Sequence, residues 1–191
     1  MQRNMTYRGF MDAAASGDAA YVKAFVVTED AMSISSHIRD DKSQHMTALM
    51  VAAKFGRENV VAEILSYLAE QKAASTPENP SWYDLNTLDE LGNNALIYAA
   101  TNGHLIIVNQ LLETGEADPR NRDINGNTPA DIATMMRHHK VAERLSSAMK
   151  ETDRSEKSKA AKKIFSFYNN SVNSTFKKPG KPTTNSRKKR K

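Results

Sequence analysis

The chain has 191 residues, 39% of them hydrophobic, which leaves room for one ordinary domain and a stretch that does not join its core. It contains no cysteine, which excludes disulfide scaffolds, thiolate zinc sites and cysteine nucleophiles. The net charge of +5 divides sharply: residues 1–150 carry 14 Lys and Arg against 19 Asp and Glu, whereas residues 151–191 carry 13 against 3. An acidic body therefore precedes a strongly basic tail.

The first ten residues lack an apolar core and read as no secretory signal, and no run of about 18 apolar residues marks a membrane span. Glycosylation-type triplets at Asn4, Asn169 and Asn173 then read as chance matches. After a flexible stretch expected over residues 1–7, a repeated phrase begins. It is worn at first, in Phe10, Ala13, Ala14, Gly17, Val22 and Phe25, and clear at T-A-L-M-V-A-A-K-F-G, residues 47–56. It returns as N-A-L-I-Y-A-A-T-N-G-H at 94–104 and as T-P-A-D-I-A at 128–133. A phrase recurring every few dozen residues marks stacked helical units.

Local chemistry supports a helix-turn-helix reading. Thr47 and Thr128 suit N-caps, with Pro129 at the first helical position where its missing N–H costs nothing. Leu49 and Leu96 open buried faces, and Val60, Val61, Ile64 and Leu65 fall at helical spacing on a second helix. Gly56 and Gly103 suit helix ends that need a left-handed residue, and Asn125 with Gly126 marks a tight turn.

These phrases resemble the ankyrin repeat, whose pattern is roughly D-x-x-G-x-T-P-L-H-x-A-A-x-x-G-H, then a second helix, then G-A-D. The third copy matches best, at Gly92, Ala95, Leu96, Ala99, Ala100, Gly103, His104, Ile107, Val108, Leu111, Leu112, Gly115, Ala117 and Asp118. The fourth has Asp123, Gly126, Thr128, Pro129, Ala133, Val141 and Leu145. The resemblance implies an all-α fold, a short solenoid over residues 8–148 with repeats near 8–40, 41–88, 89–121 and 122–148. Gly17, Gly56, Gly103 and Arg137 stand 39, 47 and 34 residues apart, against a family period of about 33, so insertions precede the second and third copies. The family's first-helix histidine is Met50, Ile97 and Asp131 here, which predicts weaker hydrogen bonding between repeats.

The α-helix after Gly56 is expected to run through Tyr67 to Lys72 before Pro77 and Pro80 break it. The inserted loop, 66–87, carries Trp82 and Tyr83, which read either as binding residues or as a plug folded back on the stack. Beyond the repeats, residues 149–168 suit a basic amphipathic helix capped by Ser155, with Ile164, Phe165 and Tyr168 as one apolar patch that docks on the last repeat or meets a membrane or nucleic acid. Residues 169–191 read as a disordered basic tail. There Lys177, Lys178, Lys181, Arg187, Lys188, Lys189, Arg190 and Lys191 look like a nuclear import signal, and equally suit phosphate binding in RNA or DNA.

No phosphate-cradling glycine loop, nucleophile elbow or zinc-protease helix occurs, so neither catalysis nor a cofactor or metal is expected. His138 and His139 read as surface residues and His104 as structural, while Ile132, Met135 and Met136 read as core or as an adaptable binding face. The resemblance places partner binding on the turn tips and the concave face of the first helices. The matching positions are Ser43, Gln44 and Met46; Glu90, Leu91 and Asn93; Ile124, Asn125 and Asn127; and the pairs Lys54 with Phe55, Thr101 with Asn102, and Met135 with Met136. The leading expectation is a monomeric, non-enzymatic adaptor that binds another protein and is sent to the nucleus through importin. The alternatives are a ribonucleoprotein component whose tail binds RNA, and a pathogen or viral effector acting in a host cell.

Overall fold

A computed structural model describes residues 7–28, 46–75 and 84–175. They form eight helices and, among these residues, no strand: α1 (Tyr7–Ser16), α2 (Ala19–Thr28), α3 (Ala48–Lys54), α4 (Glu58–Ala74), α5 (Ala95–Thr101), α6 (Leu105–Glu113), α7 (Pro129–Met135) and α8 (His139–Thr175). The chain divides into two compact units, residues 1–150 and 151–191.

In the first unit the helices pair as α1 with α2, α3 with α4, and α5 with α6, and the pairs stack in two layers. The first-helix layer runs α1, α3, α5, α7, and the second-helix layer runs α2, α4, α6. α8 supplies Val141 and Leu145 to the same core and joins its layer where Arg144 Nε donates to Asn109 Oδ1 (3.0 Å). The paired alanines Ala13 and Ala14, Ala52 and Ala53, and Ala99 and Ala100 are buried, letting helices of one unit approach closely. α4 ends at Ala74, close to the expected Lys72.

The short first helices begin on side-chain caps. Thr47 Oγ1 accepts from the Met50 N–H and Thr128 Oγ1 from the Asp131 N–H, both at 3.2 Å. Asn94 Oδ1 accepts from the Ile97 N–H at 2.9 Å. Asn94 is fully buried, and its Nδ2 meets no acceptor among the described residues. Asn94→Thr, which restores the residue of the other two caps, is expected to raise stability by about 1 kcal/mol in urea denaturation, because it keeps the acceptor and removes the orphaned donor.

The expected weakness between repeats is not found, because a different set of side chains joins the units. Arg57 Nε donates to the Ala15 carbonyl (2.7 Å). His104 Nε2 lies 3.3 Å from the Lys54 carbonyl and His138 Nε2 lies 3.2 Å from the Thr101 carbonyl. A carbonyl only accepts, so each ring nitrogen is the donor. The three acceptors hold one aligned position in α1, α3 and α5, so each interface carries one rung of a ladder. Met50 and Asp131, at the lost histidine position, serve the caps instead: the Thr47 N–H meets Met50 Sδ at 3.3 Å, and the Thr128 N–H donates to Asp131 Oδ2 at 2.9 Å. His138 is thus half-buried and structural, and not simply a surface residue; His139 is exposed.

The ladder explains its glycines. Gly56 and Gly103 are left-handed (φ +69° and +75°), and an added Cβ would lie 2.6 Å from the His104 and His138 rings respectively. Arg137 has the same left-handed φ, 63°, at the matching position of the fourth unit.

Alignment of the first helices also shows which way each face looks. Met11, Met50 and Ile97 are buried, and their fourth counterpart, Asp131, is exposed. Ala14, Ala53 and Ala100 are buried, and Thr134 is exposed. In the position of buried Val51, Tyr98 and Ile132, the first unit has exposed Asp12. The face that would meet a missing neighbour is polar at each end, as terminal solenoid units require.

α8 departs from the expected helix of 149–168. It starts at His139, passes Ser155 without a break and ends at Thr175, so Ser155 is interior and not a cap, and residues 169–175 are helical. No glycine or proline occurs between His139 and Thr175 to stop it. The side chains of the Ile164, Phe165 and Tyr168 patch lie outside the described residues.

Candidate partner-binding surface

The turn tips before α5 and α7 are built by two aspartates. Asp89 Oδ1 accepts from the N–H groups of Leu91 (2.9 Å) and Asn93 (2.8 Å), closing a tight loop over Gly92. Asp123 Oδ1 accepts likewise from Asn125 (2.9 Å) and Asn127 (2.8 Å). Burial pulls the Asp123 carboxyl upward, but the amide donors of Asn127 and Asn125 outweigh it and hold the group below its ordinary range. The two tips touch through the Ile124 N–H, which donates to the Leu91 carbonyl (3.3 Å).

Only the first tip is tied to a helix. Asp89 is buried, and its Oδ2 accepts from the Tyr98 hydroxyl of α5 at 2.5 Å. Burial, and then the Asp89 carboxylate, push the Tyr98 phenol well above its ordinary value, so it stays protonated and donates. Lys54 Nζ, from α3, lies 5.5 Å from the centre of the Tyr98 ring. Three units thus converge on the base of one tip: Lys54 from the second, Asp89 and Tyr98 from the third, and Ile124 of the fourth on the Leu91 carbonyl.

The sequence-predicted positions separate into groups. Phe55, Ile124, Met135 and Met136 present more than half of their surface to solvent, Ile124 most at 68%, and Leu91 is also exposed. Lys54, Glu90, Asn102 and Asn125 are exposed, and Asn93, Thr101 and Asn127 are half-buried. Several of the polar ones are occupied internally: Thr101 Oγ1 donates to the Ile97 carbonyl, Asn102 Nδ2 to the Tyr98 carbonyl, and Asn127 Nδ2 to Asp123 Oδ2. Met46 is corrected: it is 3% exposed, because its side chain joins the core just before the α3 cap. Ile132 is core, whereas Met135 and Met136, one helical turn later, are not. Ser43, Gln44, Trp82, Tyr83 and the tail residues Lys177, Lys178, Lys181 and 187–191 lie outside the described residues. The end of the insertion does fold back. Leu85 is buried, and Asn86 accepts from the Asp118 N–H (2.8 Å) while donating to the Glu116 carbonyl (2.9 Å).

Two exposed apolar residues, Leu88 and Ile106, and the Asp89–Tyr98 pair were not singled out in the sequence. A signal for Asp89 existed, since D-x-x-G occurs at Asp89 and again at Asp123. Nothing in the sequence marked Tyr98 as its partner.

Residues 83–133 match the family model for ankyrin repeats in many copies. The chain carries ankyrin repeats. Among solved structures 421 chains match it, so the fold by itself names no partner. One is the crystal structure of the yeast ribosomal protein Rps3 in complex with its chaperone Yar1, where the likeness is to the ankyrin protein Yar1. The TM-score is 0.61 at 26% sequence identity, over 71% of this chain and 87% of that one. No curated protein matches in sequence. The stack is a short all-α ankyrin solenoid, and a solenoid of this family is a protein-interaction module. Among the described residues, no helix is long and apolar enough to cross a membrane.

Proposed function

We propose that this ankyrin module binds a protein partner along its tips and first-helix ends, with Leu91, Ile124, Phe55, Met135 and Met136 as the anchors, and that the basic tail carries it into the nucleus. The observation that supports the first half is the row of exposed apolar side chains at positions where a solvated turn or helix end needs none. The acidic balance of residues 1–150 favours a basic partner. The likeness to Yar1, the chaperone of a ribosomal protein, supports a protein of that kind as the partner.

Affinity capture with the full chain tests the first half. The double substitution Leu91→Asp and Ile124→Asp is expected to lower recovery of the principal partner at least about tenfold with an unchanged melting temperature. Equal recovery rejects the surface. For the second half, a reporter fused to residues 151–191 is expected in the nucleus. Its retention in the cytoplasm rejects import by the tail.

A further inference from the structure

Residues 151–191 form a compact unit of their own with a net charge of +10. Within it, every residue from Asp153 to Lys163 is exposed. Five of these eleven are cations, Arg154, Lys157, Lys159, Lys162 and Lys163, against two acids, Asp153 and Glu156. The apolar residues in this stretch are Ala160 and Ala161 alone.

At about 100° per residue the five cations spread around more than half of the helix circumference. A helix that binds a bilayer or a protein groove sets a bulky apolar stripe against a polar face, and these turns have no such stripe. Their chemistry suits a polyanion whose charges approach from several directions. Directly after them the sequence adds Phe165, Phe167 and Tyr168. Rings next to a cationic block match a single strand, in which phosphates are neutralised by the lysines and unpaired bases stack on the rings.

We propose that residues 153–168 bind single-stranded nucleic acid, the exposed lysines of α8 contacting phosphates and the aromatic residues that follow them taking the bases. The site differs from the import cluster at 187–191, lies on another unit from the partner-binding surface, and does not depend on either reading.

The test uses the full chain and a labelled oligoribonucleotide of about 20 nucleotides, with anisotropy read between about 50 and 300 mM salt. Each phosphate contact on a single strand contributes about 0.7 to the slope of log affinity against log salt. The quadruple substitution of Lys157, Lys159, Lys162 and Lys163 to Gln, which keeps helix propensity, is therefore expected to lower the slope by about 3 and to weaken binding at least about tenfold. Phe165→Ala with Tyr168→Ala is expected to weaken binding with the slope unchanged, because stacking releases no counterions. Single-stranded DNA is expected to bind comparably and duplex DNA more weakly. An unchanged slope in the quadruple variant, or binding to phosphatidylserine vesicles with none to oligonucleotides, overturns the proposal. The Leu91→Asp, Ile124→Asp chain is expected to bind the oligonucleotide normally, so failure of the partner-binding surface reads separately.

Discussion

Gly103→Ala is expected to destabilise the stack by about 3 kcal/mol. Two terms add. Gly103 has φ +75°, and a left-handed residue with a Cβ costs about 1–2 kcal/mol. The new methyl would also lie 2.6–2.9 Å from three atoms of the His138 ring, and forcing such a group into a packed contact costs about 1–3 kcal/mol. The ring cannot simply turn away, because its Nε2 holds the Thr101 carbonyl and with it the rung between the third and fourth units. Two comparisons separate the terms. Gly126 has φ +82° with nothing within 4 Å of an added Cβ, so Gly126→Ala should cost only about 1 kcal/mol. Arg137 already bears the left-handed cost at the matching position, so Arg137→Gly should gain up to about 1 kcal/mol. Urea denaturation of the three variants gives the ranking, and a Gly103→Ala no worse than Gly126→Ala would refute the steric account of the ladder.

Asp89→Ala should cost a similar amount, about 3 kcal/mol, and should loosen the tip that bears Leu91. Its two oxygens accept from the Leu91 and Asn93 amides and from the Tyr98 hydroxyl, and the tyrosine is buried. Removing the acceptor strands three donors, and each stranded buried donor costs about 1–3 kcal/mol where water cannot reach it. The matching change in the last tip, Asp123→Ala, leaves donors that solvent can reach and should cost about 1 kcal/mol. Hydrogen exchange provides the local readout. The Leu91 and Asn93 amides should lose protection selectively in Asp89→Ala, and retained protection there would contradict the role given to the carboxylate. Because Leu91 is proposed as an anchor, Tyr98 and Asp89 act as positioning residues for binding without touching a partner.

The helices and their caps were legible because they are decided locally. Thr47, Thr128 and Pro129 mark starts by their own side-chain chemistry, and Val60, Val61, Ile64 and Leu65 mark a buried stripe by spacing alone. Gly56 and Gly103 were readable as left-handed ends, but not as the seats of histidine rings, because that depends on how one unit lies on the next. The same limit explains the mistaken expectation of weak links. A missing histidine is visible in a sequence, whereas Arg57, His104 and His138 become donors only when helix ends are brought alongside carbonyls 37–50 residues away. Met46 was placed at a tip by counting from a motif, and the count does not know that the chain turns inward one residue before a cap. At the candidate surface the order is reversed. Phe55, Ile124 and Met135 were picked out because apolar residues fell where the pattern needs none, and their exposure is the one property that a pattern of required residues indicates by omission.

The polar end faces make the number of repeats a property of the terminal units. Nothing in a rung depends on how many rungs precede it, so the interior could be lengthened by a unit whose two interfaces each carry a rung of the same kind. What sets the count is a short stop signal: Asp12 at one end, and Asp131, Thr134 and Arg137 at the other. Rewriting both groups to the interior residues of their positions would leave two growth faces with the chemistry of the middle of the stack. The last face of one copy would then fit the first face of the next, a head-to-tail contact, so copies would add in sequence, as subunits join a filament, until some other element ended the series.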